Sequence, residues 1–143
     1  MDIRPLTPDY AVSPQIEIAD LAAIKAAGFG VVINNRPDGE IPPHLHAAEM
    51  GRAAQALGLV FVVNPVIGGA LTLQNVTAQA QAMEQAVGPV LAYCASGNRC
   101  SVVWALTQAG CRPTDELIAV PAQYGYALDH LRGQIDALAA QKE

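Results

Sequence analysis

The chain has 143 residues, 52% of them apolar, 15% charged and only 5% aromatic, with a formal charge of −5. That is enough for one domain with its own core, and it excludes a disordered or fibrous protein. The acidic balance argues against a nucleic-acid surface, and the longest apolar runs, such as Leu57–Val63, fall far short of the roughly 20 residues that cross a membrane. No basic segment followed by an apolar core opens the chain, so a soluble cytoplasmic protein with a single catalytic domain over residues 1–143 is expected.

Tyr10–Ser13 alternates weakly and reads as a short edge strand. Ile18–Ala27 reads as a helix with an apolar stripe, stopped by Gly28. Gly30–Asn34 is a β-branched run suited to a buried strand, broken by the turn-forming Asn35-Arg36-Pro37-Asp38-Gly39. The Ala-rich stretch His44–Leu57 predicts a helix, and Leu59–Asn64 a second buried strand. Leu73–Val87 predicts the next helix, and Val90–Tyr93 the third buried strand, with Cys94 directly after it. Cys100–Ala109 is helical in pattern, Thr114 resembles an N-cap for Asp115–Ala122, and Tyr126–Gln141 closes the chain as an amphipathic helix. Strands alternating with helices predict a three-layer α/β sandwich around a mostly parallel sheet.

In such folds ligands collect at the carboxyl ends of the strands, where loops enter helix N-termini. Cys94 stands at that place, followed by Ala95, Ser96, Gly97, Asn98 and Arg99. The N–H groups of a tight loop and the start of a helix form an anion site, and the same field favours a thiolate. Gly97 frees the loop's backbone, and the fork of donors on Arg99 suits an oxyanion. Cys94 is therefore the expected nucleophile and Arg99 the expected anion ligand. The odd cysteine count without metal spacing fits free thiols.

Ser13-Pro14-Gln15-Ile16, Val32 through Glu40, Gly88 through Cys94 and Ser96-Gly97-x-Arg99 resemble the phosphatase-like domain of beta-lactamase-hydrolase-like proteins. The resemblance runs from about Ile3 to Leu131. It implies a fold similar to the dual-specificity protein tyrosine phosphatases, with Cys94 and Arg99 in the roles just given. Members are described both as phosphatases and as rhodanese-like sulfurtransferases, and some are fused to a metallo-beta-lactamase-like persulfide dioxygenase, which the resemblance offers as a partner; the present chain is expected to stand alone.

Two features favour sulfur transfer from thiosulfate or glutathione persulfide. Tyrosine phosphatases place five residues between cysteine and arginine, whereas this loop places four, as many rhodanese loops do. They also carry an aspartate about thirty residues before the cysteine to protonate the leaving alcohol, and Asn64–Ala70 holds no acid. The alternative, hydrolysis of phosphate esters, survives through Asp38 as a displaced general acid, a role that coexists with turn formation. In either case the substrate is a small anion. A second alternative is an anion-binding or redox-sensing module without turnover.

The family pattern has a hydroxyl residue after the arginine; here Cys100 stands there, with Ser101 next. Cys100 is either a resolving thiol for Cys94 or a small buried helix residue. Arg36 is an auxiliary cation or an ion-pair partner. His44, His46 and His130 are expected at helix ends or on the surface, since two histidines at i, i+2 diverge. Trp104 is expected in the core behind the anion site, Tyr124 and Tyr126 in the core or at a rim, and Cys111 packed in a loop. No metal or organic cofactor is implied.

Overall fold

The computed structural model describes residues 1–142. A five-stranded sheet is formed by β1 (Arg4–Thr7), β2 (Tyr10–Ser13), β3 (Val31–Asn34), β4 (Val60–Val63) and β5 (Val90–Tyr93), in the order β1-β2-β5-β3-β4. Only the β1/β2 pair is antiparallel. Six α-helices accompany it: α1 (Leu21–Ala26), α2 (Ala47–Ala56), α3 (Leu73–Gln85), α4 (Asn98–Thr107), α5 (Thr114–Ala122) and α6 (Arg132–Gln141).

The period-two alternation of the strands divides the core in two. Ala11, Val32, Leu91 and Tyr93 point to one face and pack with Leu21, Ile24, Met50 and Ala54 of α1 and α2. Val12, Ile33, Val90 and Ala92 point to the other and meet Trp104, Leu117 and Ile135 of α4, α5 and α6, with Val76 and Met83 of α3 beside them. The three layers and the mostly parallel sheet are as expected from the sequence.

Four local expectations are corrected. Tyr10–Ser13 is not an edge: all four residues are buried between β1 and β5. The edge is β1, whose Arg-Pro-Leu-Thr lacks a β-branched run and whose Pro5 is tolerated there because an edge strand leaves N–H positions unpaired. The valine-rich β4 is the opposite edge, with Val60 and Val63 exposed; its composition suits a two-faced burial that its position denies it.

Thr114 is the first residue of α5 rather than its cap, and its hydroxyl donates to the Asp136 carboxylate. Residues 126–128 precede a 3₁₀ turn at Asp129–Leu131 before α6 begins, because Tyr126 is turned toward the loop after β5. Among the described residues, no helix is long and apolar enough to cross a membrane.

Candidate active site

Three loops meet at the carboxyl end of the sheet, one after each of β3, β4 and β5. Cys94 follows β5 at once, and its N–H donates to the Ser13 carbonyl (3.4 Å), extending the pairing with β2. Its side chain is fully buried, in the same apolar cluster as Cys100 and Trp104. The Gly97 N–H donates to Cys94 Sγ at 3.1 Å. Gly97 caps α4 with φ of 93°, a left-handed conformation that a side chain strains. A Cβ there would also stand 2.2 Å from the Tyr126 hydroxyl oxygen.

The Cys94 thiol is held down at about 5. The hydrogen bond it receives from the Cys100 thiol contributes most; burial opposes this, and the N–H groups of Cys100, Gly97 and Ser96 add to it. Burial, then the bond to Cys94, pushes the Cys100 thiol well up, so it keeps its proton and acts as the donor. Cys100 stands where the family pattern has a hydroxyl residue. The Ser101 hydroxyl donates instead to the Gly97 carbonyl at 2.9 Å, inside the first turn of α4. Ala95, Ser96 and Asn98 are exposed on the rim, where the Asn98 N–H donates to Ser96 Oγ (3.3 Å).

Arg99 projects from the first turn of α4. Its Nη1 and Nη2 donate to the two carboxylate oxygens of Glu40, each at 2.8 Å, and Nη1 also donates to the Val66 carbonyl at 2.8 Å. Arg36 reaches the same carboxylate through Nε (3.2 Å) and donates to Gln15 Oε1 (3.2 Å). Glu40 therefore lies between two guanidinium groups, and its carboxyl is held below the usual range by Arg99 first and then Arg36. The same pair raises Arg99.

Sequence reasoning missed Glu40 as a site residue, although it closes the segment Val32–Glu40 that carries part of the family resemblance. Tyr126, expected in the core or at a rim, is buried, donates to the Ser96 carbonyl (2.7 Å) and accepts from Arg4 Nη1 (2.6 Å), holding the Cys94 loop from outside.

Asp38 is engaged at the start of α2: its Oδ1 accepts from the Ala47 N–H at 2.9 Å, which satisfies a free donor there. His44 lies 3.8 Å from the Glu17 carboxylate on the surface, and His46 bonds the Ile41 carbonyl (3.0 Å). His130 borders a pocket of about 400 Å³ beside Arg99, with apolar walls from Leu71, Val102, Leu106 and Leu131. Tyr124 donates to the Pro5 carbonyl (2.8 Å), and Trp104 is buried against Tyr10. Cys111 is exposed rather than packed, because the Gly110 turn carries it to the surface. Among the described residues, no three His, Cys, Asp or Glu side chains gather as metal ligands. A thiolate lined by N–H donors, with a guanidinium at the rim, can bind a small oxyanion and attack its electrophilic centre.

Comparison with known proteins places the chain in a family and a fold. Residues 2–111 match the family "beta-lactamase hydrolase-like protein, phosphatase-like domain". The beta-lactamase hydrolase-like protein of Agrobacterium fabrum is 37% identical over 98 residues, 68% of this chain. The chain spans only 23% to 30% of the length of the curated relatives it matches. A phosphatase candidate from Neisseria meningitidis, solved as a crystal structure, is 32% identical, with a TM-score of 0.80 over 96% of this chain and 99% of that one. Pseudomonas aeruginosa TpbA, solved in complex with pTyr, shares the fold at 15% identity, with a TM-score of 0.68 over 97% of this chain and 88% of that one. The chain belongs to the phosphatase-like domain family of beta-lactamase hydrolase-like proteins and has the protein tyrosine phosphatase-like fold.

Proposed function

We propose that this protein is a cysteine-dependent phosphomonoester hydrolase with Cys94 as nucleophile and Arg99 as anion ligand. The observation that carries this reading is the buried Cys94 Sγ, which accepts the Gly97 N–H at 3.1 Å at the start of α4, its donors holding the thiol down at about 5. At neutral pH it is a thiolate, ready without a separate base. The N–H groups and Arg99 would hold the non-bridging phosphoryl oxygens while Sγ attacks phosphorus. The ester P–O bond breaks, a thiophosphate ester forms on Cys94, and water hydrolyses it. Sequence reasoning ranked sulfur transfer first; the relatives and structural neighbours give phosphoester hydrolysis the stronger support.

The site carries its own restriction on substrate. The Asp38 carboxylate is engaged at the start of α2, and Glu40 is held ionised by two arginines, so neither is poised to protonate a leaving alcohol. Aryl esters, phosphotyrosine included, leave with little protonation and are the expected substrates; alkyl phosphates are poor ones.

The same lack of a poised acid favours a second reading, sulfur transfer through a persulfide on Cys94. Sulfite or a thiolate leaves without a proton, and the four-residue spacing from Cys94 to Arg99 suits a smaller guest. A persulfide dioxygenase partner and a cytoplasmic setting go with that reading. Parallel assays decide: intact mass after a brief exposure to thiosulfate or glutathione persulfide, and turnover of an aryl phosphate. Aryl-phosphate turnover that vanishes in Cys94→Ser supports the hydrolase. A gain of about 32 Da on Cys94, discharged by an acceptor thiol and unaccompanied by phosphate release, replaces it with the transferase.

A further inference from the structure

α3 has the composition of a solvent-facing helix, with four glutamines in Leu73–Gln85, yet Gln79 is fully buried. It falls on the same stripe as Val76 and Met83, where an apolar residue would be ordinary. All four hydrogen-bonding positions of its carboxamide are used. Oε1 accepts from Asn35 Nδ2 (2.9 Å) and Asn64 Nδ2 (2.8 Å), while Nε2 donates to Asn35 Oδ1 (3.0 Å) and to the Tyr10 hydroxyl (3.0 Å). A buried amide left partly unpaired costs stability, so a fully paired one is a deliberate arrangement with few alternatives.

Two lines of contact lead from Gln79 to Arg99. On one side the Tyr10 hydroxyl donates to the Cys100 carbonyl at 3.0 Å, in the turn of α4 that carries Arg99. On the other, Asn35 Nδ2 donates to the Asn64 carbonyl (2.8 Å), and the Val66 N–H donates to the Asn35 carbonyl (2.9 Å). Asn75 fixes the same segment through Asn64 Oδ1 (2.8 Å) and the Pro65 carbonyl (2.9 Å). The segment ends in the Val66 carbonyl that accepts from Arg99 Nη1. One carboxamide thus ties the backbone that bears Arg99 to the backbone that aims it.

We propose that Gln79 is a positioning residue of the anion site, fixing where the Arg99 guanidinium points without touching substrate. This rests on the reading of Cys94 and Arg99 as an oxyanion site, but not on whether the oxyanion is a phosphate ester or a sulfur donor. Gln79→Met keeps the length and removes all four bonds. Tyr10→Phe removes the link to Cys100 and spares the packing.

The test is alkylation of Cys94 by iodoacetamide, followed by mass, with inorganic phosphate and thiosulfate as protecting anions. Circular dichroism confirms that each variant is folded. In Gln79→Met the protecting concentration is expected to rise about ten-fold, the scale of one lost hydrogen bond to a charged group, and about three-fold in Tyr10→Phe. The pH midpoint of alkylation should not move in Gln79→Met, because none of the donors to Sγ bonds Gln79 directly. A general loosening would move both quantities together and would overturn the assignment.

Unchanged protection in folded Gln79→Met also overturns it, while leaving the anion site intact. If Gln79→Met does not fold, unchanged protection in Tyr10→Phe is the overturning result. Failure of both anions to protect the wild-type protein, with Arg99→Ala alkylated no differently, removes the anion site and the positioning role together.

Discussion

The loops after β5 and β3 leave neighbouring parallel strands and face the same site, but they are built from different materials. Residues 94–99 present backbone N–H groups, fixed by the ladder to Ser13, the left-handed Gly97 and the first turn of α4. Residues 35–41 present side chains, chiefly Arg36 and Glu40, and reach the first loop through the Arg99–Glu40 pair. Cys94 is inaccessible to solvent, whereas the Glu40 side chain is 35% exposed. Backbone donors cannot be exchanged without refolding the loop, whereas a half-exposed carboxylate can leave an arginine by side-chain rotation alone. The sulfur side is therefore held by backbone and the other side by side chains, and under the proposed reading an incoming anion would compete with Glu40 rather than with the N–H groups.

The largest effects belong to the backbone-held side and its arginine. Cys94→Ser should lower turnover by about a thousand-fold or more while leaving phosphate binding measurable, since the hydroxyl is not ionised near neutrality. Arg99→Ala should cost about a hundred-fold in kcat/KM, the range found when one donor to a developing oxyanion is removed. Steady-state assays on an aryl phosphate check both. Substantial turnover by Cys94→Ser would place the chemistry outside the backbone-held loop and dissolve the contrast.

Cys100 tests how the backbone-held side holds its charge. The alkylation rate of Cys94 should rise with pH to a midpoint of about 5 and stay level above it. Cys100→Ala removes the largest donor and should move the midpoint up, with a loss of about ten-fold in rate near pH 6. Cys100→Ser restores an O–H donor and should keep the midpoint low. The same shift appears in stability. Between about 5 and the ordinary thiol value of 9.0 the unfolded chain binds the Cys94 proton and the folded chain does not. Stability should therefore rise with pH across that window and fall as pH drops through about 5. Denaturant unfolding at several pH values should show this slope in the wild type and not in Cys94→Ser.

The backbone-held loop was also the legible one. An apolar run followed by a cysteine, a glycine and an arginine within six residues constrains backbone geometry locally, so Cys94, Gly97 and Arg99 could be read as a unit. Glu40 could not be paired with Arg99 in the same way, because 59 residues separate them and only the β3/β5 register brings them together. Gln79 was hidden for another reason: it is one of four glutamines on α3, and only its place on the Val76–Met83 stripe sets it apart. β1 escaped notice because Pro5 argues against a strand unless that strand is known to be an edge.

On the side-chain side, Glu40→Gln removes the charge that competes for Arg99 and Arg36 while keeping the shape. Inorganic phosphate should then bind about three-fold more tightly, the scale of one partly exposed ion pair. Product inhibition of aryl-phosphate turnover measures this. Weaker phosphate binding would mean that Glu40 aims Arg99 rather than competing for it, and the two loops would then be parts of one rigid cradle.

Asp38 gives the smallest effect and the sharpest division of labour within the 35–41 loop. Two residues before Glu40, its carboxylate is spent on the Ala47 N–H at the start of α2, and an uncharged acceptor can do the same work. Asp38→Asn should leave kcat/KM for an aryl phosphate within about two-fold and stability nearly unchanged, because the amide oxygen still accepts that bond. Asp38→Ala should leave activity as little altered but cost about 1 kcal/mol in denaturant unfolding, the usual cost of a lost helix-start acceptor. An acid that donates a proton in the reaction would show the reverse order. Asp38→Asn would then lose the basic limb of the pH–rate profile and most of its activity on alkyl leaving groups, with stability intact. That result would move the catalytic proton into the side-chain loop and make its motion part of turnover rather than of binding alone.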